Sequence, residues 1–314
     1  MTLADFAALA LFTSLLIYVL LDGTDLGTGM LFFWFREESQ RKRMADSILP
    51  VWDANETWLV LLAGGMFALF PPVYSMLLST LSGPLFTMLL ALFLRALALE
   101  YRVQAQAALR RWLDRLMCAS SAVAAFLQGW CAGVVFHAQP NIGLETGFTL
   151  TPLLCGAGLM VIYLLLGCCW IRWRTGEAVE EQASTQAWLW WIISLVIFLS
   201  VLLLNQNIWI TAWQRWPGKL ALLIIIALWV AQPVALWLGS VTLQLTLTLA
   251  LISAVFAGVA CGLYPWLIPG KLDLHQSAAP YATQRFVLLG TAIVMPLVLI
   301  YHSWAFWVFR GKVR

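Results

Sequence analysis

Leu21-Asp22-Gly23-Thr24-Asp25-Leu26-Gly27-Thr28-Gly29 and Trp52-Asp53-Ala54-Asn55-Glu56-Thr57-Trp58 decide how this chain is read. Both lie between Leu20 and Tyr101, and each sets acids and small residues at the edge of a long apolar run. A charge at mid-bilayer costs ~2.5–3.5 kcal/mol on insertion scales, and less near an edge. Acids kept in such a place need a partner or a use.

The surrounding composition supplies the class. The chain has 314 residues, 62% of them hydrophobic and 11% charged, with a mean hydropathy of +0.86. A soluble domain is about 25% charged. A hydrocarbon core ~30 Å thick needs roughly 20 apolar residues per helical span, and the runs here are that long and continuous. A β-barrel would show alternating segments of ~10 residues instead. The expectation is an all-α polytopic membrane protein, a single integral membrane domain over 1–314. No Lys or Arg precedes the first apolar run and Asp5 stands near its start, which argues against a cleaved signal peptide.

Hydropathy gives about nine spans, near 4–24, 53–70, 73–99, 115–137, 149–171, 187–205, 219–239, 244–266 and 284–308. Pro71-Pro72 reads as a tight turn between the second and third, because a proline pair cannot continue a helix. The six cysteines lie in apolar runs without a CxxC pair and read as packing residues. No metal site and no nucleic-acid partner are expected.

Loop charge gives the orientation. Arg36, Arg41, Lys42, Arg43, Arg102, Arg110, Arg111, Arg115, Arg172, Arg174, Arg310, Lys312 and Arg314 fall on one side. Arg215, Lys219, Lys271 and Arg285 fall on the other, and Arg95 lies inside the third span. The positive-inside rule makes the first side cytoplasmic, with the N-terminus outside and the C-terminus inside. Asp22, Asp25, Asp53, Glu56 and Glu100 then converge with Arg95 near the inner edge of the hydrocarbon. Asp22/Asp25 and Asp53/Glu56 are each three apart, so each pair shares a helix face if its helix is continuous.

Two uses fit these acids. They pair and pin the first three spans, or at least one of them takes up protons from the cytoplasm, as acids inside bundles often do. The spacing of Gly23, Gly27 and Gly29 follows an apolar helix and no βαβ unit, so a dinucleotide fingerprint is set aside. Gly23/Gly27 and Gly129/Gly133 suit close helix packing instead, and Gly64 and Gly65 are read likewise.

Asp22-Gly-Thr-Asp25-Leu-Gly27-Thr-Gly29 resembles the first signature of subunit II of the cytochrome bd-type quinol oxidases. Trp52 to Trp58 is similar to the second, and Gly64 to Pro71 to the segment after it. Arg95 with Glu100-Tyr101-Arg102 resembles the end of the family's third helix. Tyr264-Pro265, Ala279 to Gln284 and Pro296 to Tyr301 resemble its far end. Ala54 and Glu100 depart from the family's usual glycine and aspartate, and the linkers between about 172 and 245 look trimmed.

The resemblance implies two four-helix bundles plus one helix: 1–137, then 138–266, then a last helix and basic tail over 267–314. It implies a heterodimer with a haem-binding subunit I in the bacterial cytoplasmic (inner) membrane. That partner would carry haem b and haem d, oxidise quinol at the outer side and reduce O2 to water with cytoplasmic protons. Small single-helix subunits and membrane lipids are further partners it allows, and a structural quinone in this chain is left open. For proton uptake Asp53 ranks first, because it starts the second span beside Trp52 and Asn55. Asp25 and Asp22 follow, with Glu56 and Glu100. Arg95 is given an organising role, with Trp52, Asn55 and Arg102 as structural or charge-pairing residues.

His137, His275 and His302 are the only histidines, and no two look poised to sandwich a haem, which normally takes axial ligands from a packed core. The tryptophans cluster near span ends and read as interfacial anchors. The rival readings are a secondary transporter with intramembrane carboxylates and a purely structural assembly subunit. A transporter would favour internal repeats with broken helices at midplane, and no repeat is visible. A reporter fused after Arg314 should be active only on the cytoplasmic side; activity confined to the outside would reverse the orientation.

Overall fold

The computed structural model describes residues 2–138, 149–176, 178–308 and 311–312. Arg310, Arg314 and the stretch 139–148 lie outside the described residues. The chain is helical nearly throughout: α1 (Leu3–Leu31), α2 (Glu38–Ile48), α3 (Trp52–Leu69), α4 (Pro71–Arg102), α5 (Ala107–His137) and α6 (Leu150–Arg174). It continues with α7 (Ala178–Leu204), α8 (Gln206–Gln214), α9 (Trp216–Trp237) and α10 (Val241–Leu263). A small antiparallel hairpin, β1 (Trp266–Ile268) and β2 (Leu272–Asp273), then leads through α11 (Leu274–Ser277) to α12 (Tyr281–Val308).

Among the described residues eight helices are long and apolar enough to span a membrane: α1, α4, α5, α6, α7, α9, α10 and α12. The protein is an all-α polytopic membrane protein. The remaining expected span is present as α3, whose 18 residues begin with Trp52-Asp53-Ala54-Asn55-Glu56. Those polar residues in its first turn keep its mean hydropathy below that of the eight.

Two expectations change. The first helix does not stop near residue 24; it runs unbroken through the glycine motif to Leu31. Glycine in a helix costs ~0.5–1 kcal/mol relative to alanine. Here close packing offsets that cost. A Cβ on Gly27 would overlap the Tyr163 carbonyl of α6, and one on Gly29 would overlap the Ser121 hydroxyl of α5. Nor do Pro71-Pro72 form the turn. Phe70 alone breaks the helix, and the prolines open α4, where their missing N–H groups have no intrahelical acceptor to lose.

α1 lies at the centre, against α3, α5, α6 and α12. α6 also packs on α5, α7 and α10, and α9 pairs with α10. Leu26, Trp58, Tyr163, Leu165 and Cys168 are buried in the core between them. A second polar knot lies among α6, α9 and α10, where Arg172 donates to Gln244 and Gln232 donates to Thr248.

Side-chain bonds tie the loops into two opposite faces. On one, Arg41 of α2 meets Asp114 of α5, Trp170 of α6 donates to Ser47, and Lys312 of the tail reaches Glu180 of α7 at 3.4 Å. Glu38 on this face is held below the ordinary carboxylate range by its hydrogen bond from Arg110. On the other, Asp5 caps α1 with Thr2, and His275 and Tyr264 approach the Asp5 carboxylate. The basic loops grouped by sequence thus share a face.

The glycine contacts make a direct prediction. Gly27→Leu should destabilise by more than the ~1–3 kcal/mol typical of an overpacked core, because backbone, not a movable side chain, fills the space. Yield and thermal stability of the purified protein would show this. Wild-type values for both would mean that α1 and α6 do not touch at Gly27.

Candidate functional site: a buried guanidinium between two acidic helices

Because α1 is continuous, Asp22 and Asp25 stand about one turn apart on one face. Both are fully buried. α4 brings Arg95 against them, 1% exposed. Its Nη1 donates to Asp22 Oδ1 at 2.7 Å, and its Nη2 donates to Glu56 Oε1 of α3. One guanidinium therefore links three helices. Asp25 is held separately: Asn55 Nδ2 donates to its Oδ2 at 2.8 Å, while the Thr24 hydroxyl gives its one proton to the Leu21 carbonyl at 2.6 Å. Hydrogen bonds to the buried carboxyls offset part of the cost of taking them out of water.

Glu56 is the hinge of the arrangement. Its side chain is 28% exposed, and it lines a groove of about 720 Å³ between α3 and α4 with Trp52, Asp53, Leu92, Phe93 and Glu100. Asp53 and Glu100 are exposed on that groove. Trp52 donates its indole N–H to Glu100 Oε1 at 3.2 Å, and its ring lies under the Arg95 guanidinium at 5.9 Å. The five acids thus form a series, from exposed Asp53 and Glu100 through half-buried Glu56 to buried Asp22 and Asp25. Asn55, the neighbour that singled out Asp53, turns instead to Asp25.

The glycines divide by neighbour. Gly23 makes room for the Tyr163 ring, since a Cβ there would lie 2.6 Å from Tyr163 Cε1. Gly65 faces Leu11, while a Cβ added at Gly64 would meet open space. Arg102 belongs to a separate cluster. Its Nε donates to Asp114 Oδ1 at 2.6 Å while Arg41 takes Oδ2 at 2.7 Å. Sequence reasoning named Arg102 but not Asp114, although an acid among Arg110, Arg111 and Arg115 was a usable signal. Tyr18, Gln128 and Tyr163, which sit beside Asp22, were also missed. Only the four-residue step from Tyr18 to Asp22 was legible.

The three histidines lie on separate elements. His137 ends α5, His275 lies on α11 beside Asp5, and His302 lies on α12 with its ring 5.8 Å from Trp58. Among the described residues no group of three His, Cys, Asp or Glu is arranged to hold a metal ion.

Fold and site together define a multi-pass membrane protein with five motif acids gathered around one arginine. The family model for cytochrome bd terminal oxidase subunit II matches residues 3–309, and the chain belongs to that family. It is 24% identical to the cytochrome bd-I ubiquinol oxidase subunit 2 of Escherichia coli K12, over 98% of this chain and 96% of that protein. It is 27% identical to the cytochrome bd ubiquinol oxidase subunit 2 of Bacillus subtilis, over 94% and 92%. A probable cytochrome oxidase subunit 2 of Haemophilus influenzae is 32% identical over 57% of this chain and 50% of its own length. The bd oxidase structure from Geobacillus thermodenitrificans has the same fold, with a TM-score of 0.83 at 15% identity, covering 98% of this chain and 99% of that one. The chain is accordingly a subunit of a bd-type terminal oxidase, part of a haem-containing quinol:O2 oxidoreductase complex with a subunit I partner in a bacterial membrane.

Proposed function

We propose that this chain takes up protons for O2 reduction from the cytoplasm, along the series Asp53 and Glu100, Glu56, then Asp25 and Asp22. The observation that carries this is the graded burial of five acids around a single arginine. Exposed carboxylates exchange protons with water, and buried ones hold them where low dielectric favours the neutral form. Glu56 faces both the groove and Arg95, so it is placed to pass a proton between the two environments. Arg95 keeps the inner acids from collapsing into a shared neutral pair.

In this reading the basic face is cytoplasmic, the N-terminus is outside, and the membrane is the cytoplasmic (inner) membrane. The helices divide into a first bundle of α1, α3, α4 and α5 and a second of α6, α7, α9 and α10, with α12 outside both. Haem b and haem d belong to subunit I, which oxidises the quinol. The relatives named for ubiquinol support a quinol as the electron donor. Subunit I covers the α3–α4 face beyond the acids, where Val60, Phe67 and Phe86 are exposed on this chain alone, and leaves the Asp53 and Glu100 end of the groove to water. Membrane lipids surround the rest, and small single-helix subunits can join there.

Asp53→Asn and Asp25→Asn should each slow oxidase turnover by roughly 100-fold or more, since a positioned proton carrier contributes about 10²–10⁴-fold. The haem absorption spectrum of the purified two-subunit complex should stay near normal. Wild-type turnover in both variants at full assembly would leave the acids a purely structural role.

A further inference from the structure

The Asp22 carboxyl has a second oxygen, Oδ2, which is buried and has no hydrogen-bond partner among the described residues. An orphaned acceptor on a charged group costs more than on a neutral one, so a donor is needed. α1 supplies one about a turn earlier. Tyr18 is 1% exposed, and it stands four residues before Asp22 on the same face of α1. The Tyr18 hydroxyl oxygen accepts from Gln128 Nε2 of α5 at 2.6 Å, which leaves its own proton to be given away. Gln128 Oε1 in turn accepts from the Tyr163 hydroxyl of α6 at 2.9 Å. The donors run one way, from Tyr163 to Gln128 to Tyr18.

We infer that Tyr18, Gln128 and Tyr163 form an oriented hydrogen-bond chain that ends on Asp22 Oδ2 and positions the buried acids for proton exchange. This rests on the proton-uptake reading for its consequence, though not for its geometry. The motif glycine supports it independently: Gly23 is the residue that lets the Tyr163 ring approach α1 at the level of Asp22. The chain enters from α5 and α6, the side of α1 away from the groove between α3 and α4. Tyr18 is therefore a positioning residue and not a further carrier on the route from Asp53.

The charged and titratable groups around Asp22 are Arg95 of α4, Glu56 of α3, Asp25 and Tyr18 of α1 and Tyr163 of α6. α5 contributes the neutral Gln128, and the buried His302 of α12 is turned to Trp58. A hydrogen bond to the charged form of a carboxyl favours that form. Removing the Tyr18 proton should make the acids hold protons to higher pH.

Tyr18→Phe keeps the ring and its packing. In the assembled oxidase, the pH at which turnover falls to half on the alkaline side should rise by about one to two units, roughly 10- to 100-fold in proton affinity. Gln128→Leu should move it the same way, and it decides the matter if the Tyr18 variant does not assemble. An unshifted profile in an assembled variant overturns the inference. If Asp25→Asn slows turnover while this profile stays put, the chain alone is wrong. If Asp53→Asn and Asp25→Asn both turn over normally, the uptake reading is wrong, and a shifted profile still assigns the chain its place on Asp22.

Discussion

One buried guanidinium holds three helices of this protein in register. Arg95 stands almost fully excluded from solvent between an acid of α1 and an acid of α3. Removing one member of a buried pair costs ~3–5 kcal/mol, because the survivor is left charged and unpaired. That cost explains why α3 can begin with three polar side chains and still lie among the spans. Its first turn is not exposed to hydrocarbon alone; it is bonded to Arg95 through Glu56 and to Asp25 through Asn55. The Trp52 ring beneath the guanidinium adds an apolar cover with an electron-rich face.

The glycine motif serves the same end from the other side of α1. Gly23, Gly27 and Gly29 carry no side chain where α5 and α6 press in. Close approach of backbones is how small residues stabilise helix contacts in a bilayer, where lipid tails are as apolar as leucine. It also brings Tyr163 to the level of Asp22. A single nine-residue stretch thus supplies both the buried acids and the clearance that seats their neighbours.

Much of this was legible in the sequence, for physical reasons. Continuous apolar runs give spans directly, because the bilayer leaves helices no alternative partner for their backbone. The meeting of Asp22 and Glu56 at Arg95, with Asp25 nearby, followed from alternating span direction. Helix ends were less legible. The glycines of α1 argue locally for a break, and only tertiary contact with Tyr163 and Ser121 keeps that helix going. The eight residues before 115 looked like a basic loop, yet they are the start of α5, tied down by Asp114 to Arg41 and Arg102. Asn55 looked like a partner for its neighbour Asp53, but helix geometry sends the two side chains to different sides. Gln128 and Tyr163 could not have been found at all, since nothing local marks a residue whose partner lies 110 or 35 positions away.

The graded series of acids follows from this packing. Burial increases from the groove inward because α3 is the outer wall and α1 the inner one, and Glu56 straddles the two. The chain contributes structure and charge to the oxidase, and the chemistry of O2 belongs to the complex. The central claim is that Arg95 and Asp22 act as one unit. A double-mutant cycle on the purified two-subunit complex tests it most directly, comparing melting temperatures of Arg95→Gln, Asp22→Asn and the double variant. The account predicts that each single change lowers Tm strongly and that the double variant is no less stable than the worse single one. Losses that simply add, within the ~0.5 kcal/mol expected of independent sites, would contradict it.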